Sequence, residues 1–458
     1  MTLDVTSFEQ HLTGLVEQST NPVSISAGEN ITSENLPGEK YSPSFIIAYS
    51  GGIDSHVLLH LMHAAGFNCR AVYIDHGLQQ ESGSWSEHCA QVCQQLGVDF
   101  KTITVNAEPA RGESPEASAR GARYQALAVE MDEGDILLTA QHQNDQSETL
   151  FLQMLRTAGP AGLSAMPVSK VFASGRHMRP LLHKSQAELE AYAQAHELNW
   201  IEDPSNQDNR FDRNFLRNQI FPLLQDRWPS IHNTLANVSN LQAEAALLMN
   251  DLASIDAAET IDGATILIEA LTALPVERQR NLVRYWLQQN ALDVPTAKRM
   301  DEILGTVINA GDDKTPVVSW QQTEVRRFQG RLYAMKSLPE IDVEAEYTLE
   351  PEIPTVIEDI EKAVLLQPAS QGLSADVINQ PLSIRFRRGG EKIKPVGRSH
   401  TQDLKKLMQQ AGIPPWQRSR LPLLYLDDKL IAVADYWVAD DCKNQPNQPG
   451  WLLKTVIL

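Results

Sequence analysis

Ser50-Gly51-Gly52-Ile53-Asp54-Ser55 has the residue types and order that suit an anion. Two adjacent glycines let a backbone turn tightly and approach a ligand with no Cβ in the way. The first amides of a helix opening at Ser55 would be unpaired and at the positive end of its dipole. Ser50 and Ser55 add hydroxyl donors, so the run is a phosphate cradle without the lysine of a Walker A loop. Asp54 repels phosphates unless a cation intervenes, and magnesium bridging the two would reconcile them. Further along, Asp75-His76-Gly77 and Gln141-His142 each follow a strand-like run. Asp145 and Glu148, three apart, share one face at a helix start. That pair suits a metal ion or a cationic substrate amine. Equally, acids in a first turn cap the helix and complement its dipole.

The elements that would position these groups are legible in the hydrophobic pattern. FIIAYS (45–50), RAVYID (70–75), FKTITV (100–105) and DILLTA (135–140) read as strands, separated by helical patterns at about 55–65, 84–96, 116–131 and 146–156. The βαβα order predicts an α/β fold with a doubly wound parallel sheet. Ligands bind such sheets at the carboxyl ends of strands, which sends Ser50, Asp75 and His142 to one crevice. We expect a mobile N-terminal extension over 1–43, with a helical spacing of Phe8, Leu12, Leu15 and Val16 inside it, and a catalytic domain over 44–225. A mainly helical middle domain is expected over 226–337, where Leu235, Val238, Leu241, Ala245, Leu248 and Leu252 share a face and a hairpin-like stretch closes the region. Residues 338–365, rich in Glu, Asp and Pro, read as an acidic extended connector. A small basic α+β domain is expected over 366–458, with a hairpin around Asp427-Asp428.

The formal charge of −19 speaks against nucleic acid, but only charges within about 10 Å act at 0.1 M salt. Location therefore outweighs the total. From Arg385 to Arg420 ten basic side chains, Arg387, Arg388, Lys405 and Lys406 among them, face only Glu391 and Asp403, a net of +8. Such a patch can bind phosphates in an acidic protein. The four cysteines, Cys69, Cys89, Cys93 and Cys442, form no CxxC pair and read as buried thiols in a reducing compartment, which points to the cytoplasm. Met1–Gln10 lacks the basic start and apolar stretch of a secretory signal, and no run is long enough to span a bilayer.

With the SGGIDS loop in place, the chain resembles the N-type ATP pyrophosphatases of the PP-loop superfamily. More specific stretches resemble the tRNA(Ile)-lysidine synthase family within it. They are IDHGL (74–78), EASARGARY (116–124), QHQNDQSETL (141–150), RPLL (179–182), WIEDPSNQDNRFDRNFLRNQIFPLL (200–224) and GRSHTQDLKKLMQQAGIPPW (397–416). The resemblance runs from about Phe45 nearly to the C-terminus. It implies ATP as co-substrate, magnesium, free L-lysine as a second substrate and tRNA(Ile) with a CAU anticodon as the third. ATP would adenylate the C2 oxygen of the wobble cytosine, and the lysine ε-amine would then displace AMP, so that the tRNA reads AUA and accepts isoleucine. It implies further that Ser50, Gly51, Gly52, Ile53, Asp54 and Ser55 bind ATP, with Asp54 at the magnesium–phosphate end. Arg120 or Arg123 would offset phosphate charge, and His142, Asp145 and Glu148 would serve adenylation and lysine binding. Asn214 and Arg217 would lie near the reacting cytidine. A homodimer is compatible with the resemblance, and a membrane partner is not expected. Gln141 and Asn144 depart from the family's usual paired histidines and tandem aspartates, so position 144 is assigned no metal. The rival within the superfamily is a tRNA thiolase, which needs a cysteine-based sulfur site. A glutamine-dependent amidotransferase would need a glutaminase, and a non-catalytic ATP-gated tRNA-binding module would not need Asp54, Asp145 and Glu148.

Overall fold

Residue alternation decides which way each strand of the N-terminal sheet faces. Ile46, Val72 and Leu137 are buried on one side with Leu127 and Met131, while Phe45, Ile47, Ala71, Tyr73, Ile136 and Leu138 are buried on the other. A strand buried on both faces needs this near-continuous apolar run. The computed structural model describes residues 3–20, 44–77, 82–106, 115–311 and 314–457, in two units that divide between Asp251 and Leu252.

The first unit runs α1 (Val5–Thr20), β1 (Phe45–Ala48), α2 (Ile53–Ala64), β2 (Cys69–Asp75), α3 (Ser82–Leu96), β3 (Asp99–Thr104), α4 (Pro115–Val129), β4 (Ile136–Leu138), α5 (Gln143–Leu155), β5 (Ser169–Phe172) and β6 (Gly175–Met178). The sheet order is β3-β2-β1-β4-β6-β5, with the first five strands parallel and β5 antiparallel to β6. The chain winds outward from β1 through β2 to β3 and then returns to β4 on the other side of β1. The switch point therefore lies between β1 and β4, and the loops after those two strands meet there. Helix α1 corrects the expectation of a mobile extension for the residues it covers. Leu12 is fully buried and Phe8 nearly so, in the same core as β1 and α2. Residues 21–43 lie outside the described part.

In the second unit a five-stranded antiparallel sheet joins the helices Val276–Gln289 and Ala297–Glu302 around Leu282, Trp286, Ile303, Val325 and Leu332. The middle region thus carries a full sheet in addition to its helices. The C-terminal part holds a five-stranded and a three-stranded antiparallel sheet over one core, and the expected hairpin forms between Leu423–Leu426 and Lys429–Val433. Trp416 packs 5.3 Å from the Tyr333 ring and 6.0 Å from that of Phe328, tying this part to the middle sheet.

The acidic stretch 338–365 is not an extended connector. Glu346–Leu349 pairs antiparallel with Leu382–Arg385, and Thr355–Ile357 pairs with the strand Lys362–Ala369. Its carboxylates also meet the basic segment. Glu344 lies 3.1 Å from Arg388, and Glu346 accepts from Arg385 at 2.9 Å. Among the described residues no helix is long and apolar enough to cross a membrane.

Candidate active site

Gly51 adopts φ +79°, which favours glycine, and a Cβ there would lie 2.6 Å from Ile201 Cδ1 and 2.9 Å from Cys89 Sγ. The turn is fixed from behind as well, because Ile201 N–H donates to the Gly51 carbonyl at 2.9 Å. Gly52 then opens α2 with no side chain capping it, so the first amides of the helix stay available to an anion. Ser55 Oγ donates to Gly52 O at 3.0 Å, receives the Ser50 amide at 3.2 Å and lies 3.1 Å from Ser50 Oγ, which holds the loop closed.

A cavity of about 340 Å³ opens over this loop at the switch point. Its polar end is lined by Ser50, Gly52, Asp54, Ser55 and Asp145, and Val72, Ile74, Tyr124 and Leu127 supply less polar walls. Arg120, Arg123, Arg213, His76, Asp203, Thr139 and Gln141 also line it. Arg123 donates to His76 Nε2 at 3.3 Å, and the Arg120 guanidinium sits 5.0 Å over the Tyr124 ring. Burial first, then Arg123, pushes the pKa of His76 down. Asp75 accepts the Gly77 amide within its own turn at 2.9 Å.

His142 caps α5 and joins the carboxylates. Its Nδ1 accepts the Asn144 amide at 3.2 Å, while the Asp145 side chain accepts the His142 amide at 3.1 Å. The proton therefore sits on Nε2, which lies 3.5 Å from Asp145 and 3.7 Å from Asp54. Burial disfavours the imidazolium, but Asp145 and Asp54 outweigh it and the pKa is raised. A second proton would have to break the Asn144 bond, so the neutral Nε2–H form is the one the cap selects. Burial alone would lift Asp145; His142, Arg217 and Arg213 overcome it and hold this carboxyl below its usual range.

Glu148 is 1% exposed, and both its oxygens are engaged by Arg217, Nε to Oε1 at 2.7 Å and a terminal nitrogen to Oε2 at 2.9 Å. The same guanidinium reaches Asp145 at 3.1 Å, and Arg213 Nε stands 3.4 Å from Glu148. Desolvation still raises the pKa of Glu148 despite the opposing pull of Arg217. The two carboxylates thus divide: Asp145 lines the cavity, while Glu148 anchors a guanidinium. Arg217 sits in a wide π-helical turn, Leu216–Ile220, after which Pro222 lacks the N–H that a regular helix would use. Asn214 donates to the Ser205 and Asp208 carbonyls at 2.9 and 3.0 Å, fastening the 204–208 turn.

Asp54 Oδ1 is buried with no hydrogen-bond partner among the described residues. An orphaned carboxylate oxygen above an anion cradle fits a magnesium ion, which would draw its remaining oxygen ligands from phosphates and water. No three carboxylate, histidine or cysteine side chains converge on a ready-made metal centre among the described residues. Cys89 and Cys93 are buried, and their thiols are pushed up to about 12 by desolvation first, then by Cys93 in the case of Cys89 and by Cys69 in the case of Cys93, which suits packing rather than sulfur transfer.

Of the basic residues expected to bind substrate, Lys405 and Lys406 are exposed on the helix Leu404–Gln410. Arg387 lies 3.4 Å from Glu391, and Arg388 is taken up by Glu344. The local excess is accordingly smaller than the segment's own count. Arg213 and Asp203 escaped the sequence reading. Arg213 lies four residues before Arg217 in a helical stretch, a spacing that would have put both on one face.

Residues 27–224 match the PP-loop domain family, 267–333 the TilS substrate binding domain and 382–455 the TilS substrate C-terminal domain. A tRNA(Ile)-lysidine synthase from Coxiella burnetii is 39% identical over 422 residues, covering 89% of this chain and 92% of its own. Another from Pectobacterium atrosepticum is 41% identical over 414 residues, covering 89% and 93%. A U34-tRNA thiolase from Methanococcus maripaludis, solved with its [4Fe-4S] cluster, covers 52% of this chain and 78% of its own at 14% identity and a TM-score of 0.39, too slight a likeness to bear on function.

Proposed function

Since this chain belongs to the tRNA(Ile)-lysidine synthase family, we propose that its cavity carries out an ATP-dependent ligation of lysine to the wobble cytidine of tRNA(Ile) bearing a CAU anticodon. The phosphates of ATP lie on the first amides of α2 and the hydroxyl of Ser50, in a loop that Ser55 holds closed, with Arg120 and Arg123 offsetting their charge. Asp54 would hold magnesium, which would supply positive charge to offset that of the phosphates. The C2 oxygen of the cytosine attacks the α-phosphorus, the bond to the β-phosphate oxygen breaks, and pyrophosphate leaves. The ε-amine of lysine then attacks C2 and AMP departs with the former C2 oxygen.

A lysine amine with a pKa near 10.4 must shed a proton before it attacks. Asp145, the cavity-facing carboxylate, holds the ammonium, while Arg213 and Arg217 beside it disfavour the charged amine, so that its proton passes to solvent before attack. His142 donates through Nε2 and keeps Asp145 and Asp54 oriented, and Glu148 fixes Arg217 towards the cytidine. The observation that carries this reading is one cavity joining an anion-ready helix start to a carboxylate flanked by guanidinium groups. Single-turnover formation and decay of AMP-linked tRNA, with and without lysine, tests it. Lysine should accelerate decay and appear in the nucleoside at position 34. An adenylated tRNA indifferent to lysine would remove lysidine synthesis as the function.

A further inference from the structure

Arg179 is 2% exposed, and no carboxylate pairs with it among the described residues. A permanently charged guanidinium in that position is costly, so what it does with its N–H groups matters. One donates to the Pro167 carbonyl at 2.7 Å, and another faces His177 Nδ1 at 3.3 Å. Guanidinium nitrogens only donate, so Nδ1 must accept and the single proton of a neutral His177 sits on Nε2. Burial, then Arg179, pushes the pKa of His177 down to about 3, which keeps the ring neutral.

The direction then propagates. His177 Nε2 lies 2.7 Å from Thr139 Oγ1 and donates to it, which commits the Thr139 hydrogen elsewhere. That hydrogen goes to Gln141 Oε1. A flipped Gln141 amide would place two donors against one hydroxyl and strand its proton, so the donor-only arginine leaves a single satisfied arrangement. With Oε1 turned back to Thr139, the amide nitrogen of Gln141, which has no protein partner among the described residues, is the end left to the cavity that both residues line. The β1–β4 register pairs Ile47 with Leu138, and the loops that follow these neighbouring strands bring Ser50 and Gln141 into the lining of the same cavity.

We propose that Gln141 donates its amide N–H to a phosphate oxygen of the bound nucleotide, and that Arg179, acting through His177 and Thr139, is the positioning residue that holds the amide in that orientation. The proposal rests on the reading of this cavity as the ATP site.

ATP affinity, measured directly and as KM in pyrophosphate release, tests it with four variants, all but Thr139→Ser near-isosteric. Gln141→Met removes the donor and should weaken ATP by roughly tenfold or more, the range of one hydrogen bond to a charged group. Gln141→Glu, which sets a carboxylate against phosphate, should be weaker still. Thr139→Val keeps the shape but frees the amide to turn, with an expected loss of several-fold; Thr139→Ser should recover most of it. The KM for lysine should stay unchanged throughout. Equal ATP affinity in wild type, Gln141→Met and Thr139→Val would overturn the inference while leaving the ATP site standing, as would a Thr139→Val that is merely less stable. Tighter binding by Gln141→Glu than by Gln141→Met would also overturn it, because the partner would then be a donor such as a ribose hydroxyl. Failure of the wild type to bind ATP would remove the site and the inference together.

Discussion

Removing Arg217 should cost far more than neutralising its partner. Arg217→Met deletes a two-point fork to a carboxylate that is 1% exposed, along with the contact to Asp145. Breaking a buried pair from one side typically costs about 3–5 kcal/mol, because a desolvated charge is left uncompensated. Arg213, 3.4 Å from Glu148, keeps part of the compensation, which places the expected loss near the lower end, about 3 kcal/mol. Glu148→Gln is different: Arg217 is a third exposed and keeps Asp145, so a loss of about 1 kcal/mol or less is expected. The double variant should then be more stable than Arg217→Met alone. The pH dependence has a definite sign. Glu148 has a raised pKa in the folded protein, and losing Arg217 raises it further, so the folded state binds a proton that the unfolded state releases. The penalty of Arg217→Met should shrink towards pH 5 and grow as pH rises through the folded pKa. Thermal unfolding of the four proteins at pH 5 and pH 8 measures it; for a unit of this size each kcal/mol moves Tm by about 2–4 °C. Equal and additive losses for the two single variants, with no pH trend, would refute the claim that Glu148 is a buried charge held by Arg217.

Asp54→Asn should leave the fold intact and slow magnesium-dependent pyrophosphate release by about 10²–10³-fold, the usual loss for one electrostatic contact to a transition state; near-normal release at saturating magnesium would contradict the assignment. Gly51→Ala should destabilise the first unit by at least about 1–2 kcal/mol from the left-handed backbone alone and weaken ATP, whereas Gly52→Ala, with nothing nearer than 3.6 Å, should be milder in thermal unfolding. Replacing Lys405 and Lys406 together by Gln should reduce the log–log salt slope of tRNA binding by up to about 1.8 and spare ATP affinity, if each makes one phosphate contact; an unchanged slope would return them to plain surface.

The parallel sheet was legible because a strand buried on both faces must be apolar along its length, and Phe45–Ala48 and Ile136–Leu138 are. Helix α1 was visible as a period, yet nothing in Phe8 and Leu12 said that they would pack against β1 and α2 rather than move freely. The stretch 338–365 misled through composition. Glu346-Tyr347-Thr348-Leu349 buries only Leu349 fully, and its cross-strand partner Arg385 lies 39 residues away. In the site, the loop and the Asp145–Glu148 pair could be read from local order. The fork from Arg217 crosses 69 residues and could not, so the two acids looked equivalent until the fold separated them.

That separation bears on how one small cavity can treat two cationic groups differently. Glu148 has no free oxygen for an incoming ammonium, because a planar guanidinium already matches its carboxylate at two points. Asp145 offers a weaker hold, since one oxygen takes the His142 amide and the other a single Arg217 contact at 3.1 Å. A lysine amine, a compact donor on a flexible stem, competes better at the second carboxylate than at the first. On the proposed reading the amine therefore enters beside Asp145 and within the same His142 arrangement that orients Asp54 at the phosphates. Nucleophile and nucleotide then share an electrostatic setting, and a change at His142 should disturb both half-reactions where one at Glu148 disturbs the placement of Arg217.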